Sequence, residues 1–195
     1  PSGVEQEYLQ LLPDSGVRKV FFHGIYLINL ASADEAIFAR SQLSLTHALD
    51  LMERIGGDGV IFHLGSLKNE VSEEIGFRRA GEAINRVLEK SKGSSRLLLE
   101  VAAGSGSIIG DRVEELAQIY EYIANKERVG FALDTQHLWA SGYDLVNDLD
   151  GLLKIIESVL RFEKVWAIHL NDSKTDLGSR VDRHENIGDG KIGAD

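Results

Sequence analysis

The sequence predicts an α/β fold, a (βα)₈ barrel of which about five strands lie in this chain, and three observations lead there. Short apolar, β-rich runs at residues 17–23, 59–63, 97–101, 129–134 and 165–170 alternate with helical patterns, the signature of a parallel sheet with right-handed crossovers. His23, His63, Glu100, Asp134 and His169 each stand at or near the C-terminal end of one of these runs. The intervals between them are 34 to 40 residues, about one βα unit. A doubly wound open sheet also fits the alternation, but it gathers its site at one switch point between two strands. Five strand ends that all carry ligand-type side chains should converge, and closing a barrel converges them.

Each element has its own signal. Residues 4–12 read as the tail of an earlier helix. The runs at 59–63, 97–101 and 129–134 are continuously apolar, as suits strands buried on both faces. Residues 33–55 repeat apolar side chains at Ile37, Phe38, Leu43, Leu45, Leu49 and Met52. Residues 72–90 open with Ser72 as N-cap and Glu73 and Glu74 in the first turn. Helices are also expected at 112–125, with Asp111 as N-cap, and at 147–162. No linker or low-complexity tract divides the chain, so 1–195 reads as a single domain. A complete barrel takes about 250 residues and eight strands. With a first residue Pro1 and a glycine-rich segment near the last, the chain reads as a fragment lacking both barrel ends.

Composition narrows the function. The 195 residues are 43% hydrophobic and 27% charged, ordinary for a globular domain. There are no cysteines, which excludes disulfides and thiolate-bound zinc. No apolar run approaches the ~18–20 residues of a membrane span. No signal-peptide pattern opens the chain, so a cytoplasmic location is expected. A net charge of −10 argues against gripping nucleic acid by bulk electrostatics but leaves room for a local site, where bound cations would offset clustered carboxylates.

Six histidines are present, and five of them (His23, His63, His137, His169, His184) lie at strand ends or in the loops beyond. His47 sits mid-helix and reads as structural or surface. Asp134 and His137 are three apart across a strand-to-loop turn. Asp182 and His184 are two apart, which in extended backbone puts both on one face with Arg183 pointing away. Eight nitrogen and oxygen ligands exceed the needs of one tetrahedral ion and suggest two or three. Lys174, Arg180 and Arg183 place basic groups beside them. The glycine-rich run at 104–110 lacks dinucleotide-loop spacing and reads as a flexible βα loop. Asp144 and residues 147–150 read as solvated surface and a helix start, and Trp139 and Trp166 as packing residues.

Several strings resemble a known family. They are His-Gly-Ile-Tyr-Leu-Ile-Asn-Leu at 23–30, Phe-His-Leu-Gly-Ser at 62–66, Leu-Asp-Thr-Gln-His at 133–137 with Ser-Gly-Tyr-Asp at 141–144, His-Leu-Asn-Asp at 169–172 and Gly-Ser-Arg-Val-Asp-Arg-His at 178–184. Together they are similar to endonuclease IV, the AP endonuclease family 2 of DNA base excision repair. The last string is the most specific, and the resemblance covers nearly the whole chain.

The resemblance implies a TIM barrel with three Zn²⁺ ions. His23, His63 and Glu100 would hold the first. Glu100 would bridge to a second, shared with Asp134 and His169. His137, Asp182 and His184 would hold the third. The family adds one glutamate from its last strand, beyond this chain, and two earlier strands with DNA-contacting loops. Glu100 would also be catalytic, helping to fix the nucleophile. The implied reaction is hydrolysis of the phosphodiester 5′ to an abasic site in double-stranded DNA, leaving a 3′-hydroxyl and a 5′-deoxyribose phosphate. Tyr26 and Leu27 would wedge into the minor groove, and Arg183, Lys174 and Arg180 would contact phosphate. The complete protein would be a monomer. The chain departs from the family at Leu64, Leu67, Val101, Ala102 and Gln136, none of them a ligand. Two other readings remain: a metal-dependent sugar isomerase or epimerase on the same barrel, and a zinc-binding fragment without activity.

Overall fold

The computed structural model describes residues 2–68 and 72–194. Five strands, β1 (Phe21–His23), β2 (Gly59–Phe62), β3 (Arg96–Glu100), β4 (Val129–Asp134) and β5 (Val165–His169), form one sheet in the order β1-β2-β3-β4-β5. Every neighbouring pair is parallel. Chain order and spatial order therefore coincide, with no switch point. That is the winding of a barrel and not of a doubly wound sheet, so the arc is five strands of a TIM barrel.

The crossovers form where the sequence caps them. Helix α1 (Gly3–Leu11) opens on a capping box, Ser2 with Glu5. Helix α2 (Glu35–Ile55) begins at Asp34, which accepts the Ala36 and Ile37 N–H groups, and ends at Gly56 in the left-handed region (φ 68°). Helix α3 (Glu73–Lys90) starts on Ser72 as expected. Helix α4 spans Val113–Glu121, shorter than the sequence pattern. Its N-cap is Arg112 with no side-chain cap, and the Asp111 carboxylate instead accepts from Arg180. A six-residue helix α5 (Thr135–Ala140) follows β4 where a loop was expected. Helix α6 (Leu149–Val159) is capped by Asp148. Beyond β5 a short antiparallel pair, β6 (Asp172–Ser173) and β7 (His184–Glu185), closes the described chain. The loop at 104–110 is tied down: Leu67 donates to the Ser107 carbonyl and Ile109 to the Gly65 carbonyl.

Strand parity explains the core. Val60, Phe62, Leu97, Leu99, Phe131 and Leu133 pack outward against Leu45, Leu49, Met52, Ile84, Val87 and Leu116 of the helices. The alternate positions Phe21, Ile61, Leu98, Ala132 and Ala167 meet on the inner face. Both faces are apolar, which is why the runs read as continuous hydrophobics. The ends of the same strands then place their side chains two residues beyond each inner-face residue. His47 lies exposed on α2, Trp139 is buried and Trp166 packs under the Arg96 guanidinium, 4.5 Å from its ring. No helix among the described residues is long and apolar enough to cross a membrane.

One carboxyl on α4 gives this packing a pH signature. Burial, aided by Asp111 and Glu73, pushes Glu115 up to about 7 despite the Gly110 N–H it accepts. The unfolded chain ionises this group near 4.5, so the fold loses stability as pH rises from there to about 7, and no further above it. Glu115→Gln keeps the hydrogen bond and removes the charge. It is expected to leave urea stability unchanged at pH 4 and to raise it by ~1–2 kcal/mol at pH 8, after allowance for solvent screening. A difference from the parent that is independent of pH would contradict this.

Candidate metal centre

The inner-face parity delivers the first five ligand candidates. Phe21, Ile61, Leu98, Ala132 and Ala167 point into the sheet's concave side, and the residues two further on are His23, His63, Glu100, Asp134 and His169. In β4 and β5 the register sets Asp134 directly beside His169. The remaining three arrive from irregular chain. Asp134 caps α5 by accepting the His137 N–H (3.0 Å), and one helical turn swings the His137 ring back over the strand ends. Asp182 and His184 come from the far limb of the β6–β7 pair, with Ser173 opposite His184.

All eight candidates line one cavity of about 330 Å³, together with Asn171. Glu100 is at its centre. One carboxylate oxygen lies 2.7 Å from His23 Nε2 and 3.3 Å from His63 Nε2. The other lies 2.6 Å from His169 Nδ1 and 3.8 Å from His137 Nδ1. Asp134 Oδ2 lies 3.7 Å from His169 Nδ1 and 3.3 Å from His184 Nε2. Asp182 reaches His137 Nε2 at 3.5 Å and His184 Nδ1 at 3.3 Å. Three overlapping groups result: His23, His63 and Glu100; Glu100, Asp134 and His169; Asp134, His137 and His184, each with ligand atoms within 4.8 Å of one another. The third group has Asp134 where the resemblance implies Asp182, and Asp182 lies as near the same two imidazoles, 3.5 Å from His137 and 3.3 Å from His184.

The electrostatics follow from crowding. Burial alone would raise the Glu100 carboxyl, but hydrogen bonds from His169 and His23, with His63 and His137 nearby, hold it far below the usual carboxylate range. His23 and His169 are raised chiefly by their hydrogen bonds to Glu100. Burial pulls His63 down. Burial also opposes the charge on His137, but Asp182, Asp134 and Glu100 outweigh it and raise this ring. The His137 ring in turn lowers Asp182.

These residues fit divalent cations. His137 Nδ1–H donates to the Val101 carbonyl (2.9 Å), which fixes the tautomer and turns the Nε2 lone pair into the cavity. That Nε2 and His63 Nδ1 are buried with no hydrogen-bond partner among the described residues. Five imidazoles and three carboxylates without a thiolate are the donor set of an N,O metal site.

Asn171 was not singled out from the sequence. Its amide donates to Asp134 Oδ2 (2.7 Å), orienting that carboxylate. The available signal was the same parity, since Asn171 lies two residues past His169. The apolar departures at 101 and 102 are buried, and their backbone carbonyls hold His137 and Ser141. Gln136 is buried and donates to the Val181 carbonyl (3.0 Å), beside Asp182. Tyr26 and Leu27 project from the loop after β1, Tyr26 89% and Leu27 63% exposed, at the lip of a cavity of about 710 Å³ that reaches His63. Arg183 is exposed, and Lys174 lies 3.7 Å from Glu185. Arg180, its side chain half exposed, donates Nε to the Gly104 carbonyl and one terminal nitrogen to Asp111.

The family described as xylose isomerase-like TIM barrel matches residues 2–195. The chain is 38% identical over 190 residues to the probable endonuclease 4 of Clostridium botulinum, covering 97% of this chain and 68% of that protein. It is 40% identical over 178 residues to the probable endonuclease 4 of Phocaeicola vulgatus, covering 91% and 64%. The crystal structure of endonuclease IV from Thermus thermophilus superposes with a TM-score of 0.85 at 32% identity, covering 99% of this chain and 68% of that one. A D-tagatose 3-epimerase-like protein superposes at 0.79 with 16% identity, covering 98% and 68%, a likeness of fold alone. The chain thus spans about two thirds of the length of these proteins.

Sharing of Glu100 between two groups has a countable consequence. Glu100→Gln is expected to lower the divalent ions retained after gel filtration by more than one per protein, whereas His184→Ala lowers them by at most one. Equal losses, counted by plasma mass spectrometry, would show that Glu100 is not shared.

Proposed function

This chain belongs to the endonuclease 4 family of xylose isomerase-like TIM barrels, and on that premise we propose that the protein is a zinc-dependent apurinic/apyrimidinic endonuclease of DNA base excision repair. It hydrolyses the phosphodiester 5′ to an abasic site and leaves a 3′-hydroxyl and a 5′-deoxyribose phosphate. The observation that carries this reading is the overlap of three ligand groups around Glu100 and Asp134. An epimerase needs one or two ions and a proton-transfer group, and it gives no account of the third group at His137 and His184.

His23, His63 and Glu100 would hold one ion, Glu100, Asp134 and His169 a second, and His137 and His184 a third with Asp182 or Asp134. Clustered zinc, when bound, supplies a water nucleophile near neutral pH and stabilises the attacking and leaving oxygens of an in-line displacement. The chain's own residues do the rest. Glu100 and Asp134 set the spacing between the groups, and Asn171 and the Val101 carbonyl keep Asp134 and His137 in register. Tyr26 and Leu27 form an exposed wedge beside the cavity, suited to filling a gap in the base stack. An abasic nucleotide lacks its stacking partner, so turning it out of the duplex costs less than turning out a normal one. Arg183, exposed beside Asp182, and Lys174 supply phosphate contacts on a protein that is otherwise anionic.

The test is incision of a duplex carrying one tetrahydrofuran residue, by the complete reading frame that contains this chain. Cleavage 5′ to the lesion is expected, falling at least ~100-fold in His184→Ala and less in Tyr26→Ala, whose loss should weaken lesion binding more than the chemical step. A protein that holds its metal and does not cut would refute the assignment.

A further inference from the structure

The strand-borne candidates are held by sheet hydrogen bonds, but Asp182 and His184 ride on a limb whose only strand pairing among the described residues is the two-residue pair of β6 with β7. Something else must fix that limb, because a metal site tolerates only small errors in ligand position. On its far side the Asp172 carboxylate gathers the N–H groups of Gly188, Gly190, Ile192 and Gly193. On its near side stands Arg180, two residues before Asp182. Its Nε donates to the Gly104 carbonyl (2.6 Å) and a terminal nitrogen to Asp111 Oδ2 (2.8 Å). Its backbone N–H donates to the Ala140 carbonyl (2.9 Å), and its own carbonyl accepts from Ser105 Oγ (2.8 Å). Asp111 is buried, and its carboxylate pairs with the Arg180 guanidinium. Gly104, with φ 83°, leaves the space the clamp needs, since a Cβ there would lie 2.7 Å from Asp111 Oδ2. Arg180 itself sits at φ 57°, a left-handed conformation that a non-glycine residue holds only when its contacts require it.

We propose that Arg180 is a positioning residue for the metal group at His137, Asp182 and His184, clamped between Gly104 and Asp111 so that the limb is referenced to the strand that supplies Glu100. The inference rests on the metal reading of the site. Gly104 lies four residues past Glu100 and Asp111 two residues before α4, so the clamp ties the separate limb to the loop that leaves β3. A planar guanidinium engages both acceptors at once, whereas a lysine ammonium on a flexible stem satisfies one at a time.

The experiment compares the complete protein with Arg180→Met, Arg180→Lys, Asp111→Asn and Asp182→Ala, each loaded with zinc. Release of each ion to a chelator is followed, with thermal unfolding in parallel. Asp182→Ala marks the ion in question. Arg180→Met should loosen that same ion 10- to 100-fold and leave the others as in the parent, Arg180→Lys should restore part of the loss, and Asp111→Asn should move the same ion in the same direction. If Arg180→Met does not fold, Asp111→Asn and Arg180→Lys decide. Parental retention in these variants, or an equal loosening of every ion that tracks a fall in Tm, overturns the proposal. A silent Asp182→Ala overturns the proposal, since Arg180 then has no ion to position through Asp182, whereas an Asp182→Ala that loosens one ion that Arg180→Met retains overturns the proposal and leaves the metal reading standing.

Discussion

A carboxylate buried to 1% exposure among four imidazoles sets the terms for the rest of this molecule. Glu100 ends the central strand, and its two oxygens divide the neighbouring histidines, His23 and His63 on one side, His169 and His137 on the other. Removing the partners of such a buried charge costs about 3–5 kcal/mol, so the ring of histidines and the carboxylate constrain one another. The arrangement is possible only because five parallel strands bring their C-terminal ends to one place, and the sequential strand order does this without a switch point.

Around that centre the fold divides its labour. The outer face of the sheet and the helices bury most of the apolar side chains and supply stability. The inner face is small and apolar through Ile61, Leu98 and Ala132, and becomes polar only in the last layer. Asp134 joins the two regimes: it ends β4, caps α5 and faces His169 and His184. Asn171, Arg180 and Asp172 make side-chain hydrogen bonds in the chain beyond β5, whose only strand pairing among the described residues is a two-residue pair.

The strand ends were legible in the sequence because a period of two and a period of one βα unit are both written in residue identity. His23, His63, Glu100, Asp134 and His169 satisfy both, and the structure gathers them with His137, Asp182 and His184 around one cavity. What was not legible depends on long-range partners. Asp111 reads as a helix cap until Arg180 arrives from 69 residues away to claim it. The loop at 104–110 reads as flexible because its partners, Gly65 and Leu67, lie on another loop. Residues 135–140 are too few to show helical periodicity, although Asp134 caps them. The two acceptors of Arg180, Gly104 and Asp111, were not legible because both lie about 70 residues away along the chain.

On the proposed reading, Glu100 lies between adjoining cation positions rather than within a hydrogen-bonded histidine cluster. Anomalous diffraction at the zinc edge, from crystals of the zinc-loaded complete protein, tests it most directly. Three peaks are expected within the cavity lined by His23 through His184, with the Glu100 carboxylate between two of them. A single peak, or peaks that leave Glu100 bonded only to imidazoles, would contradict it.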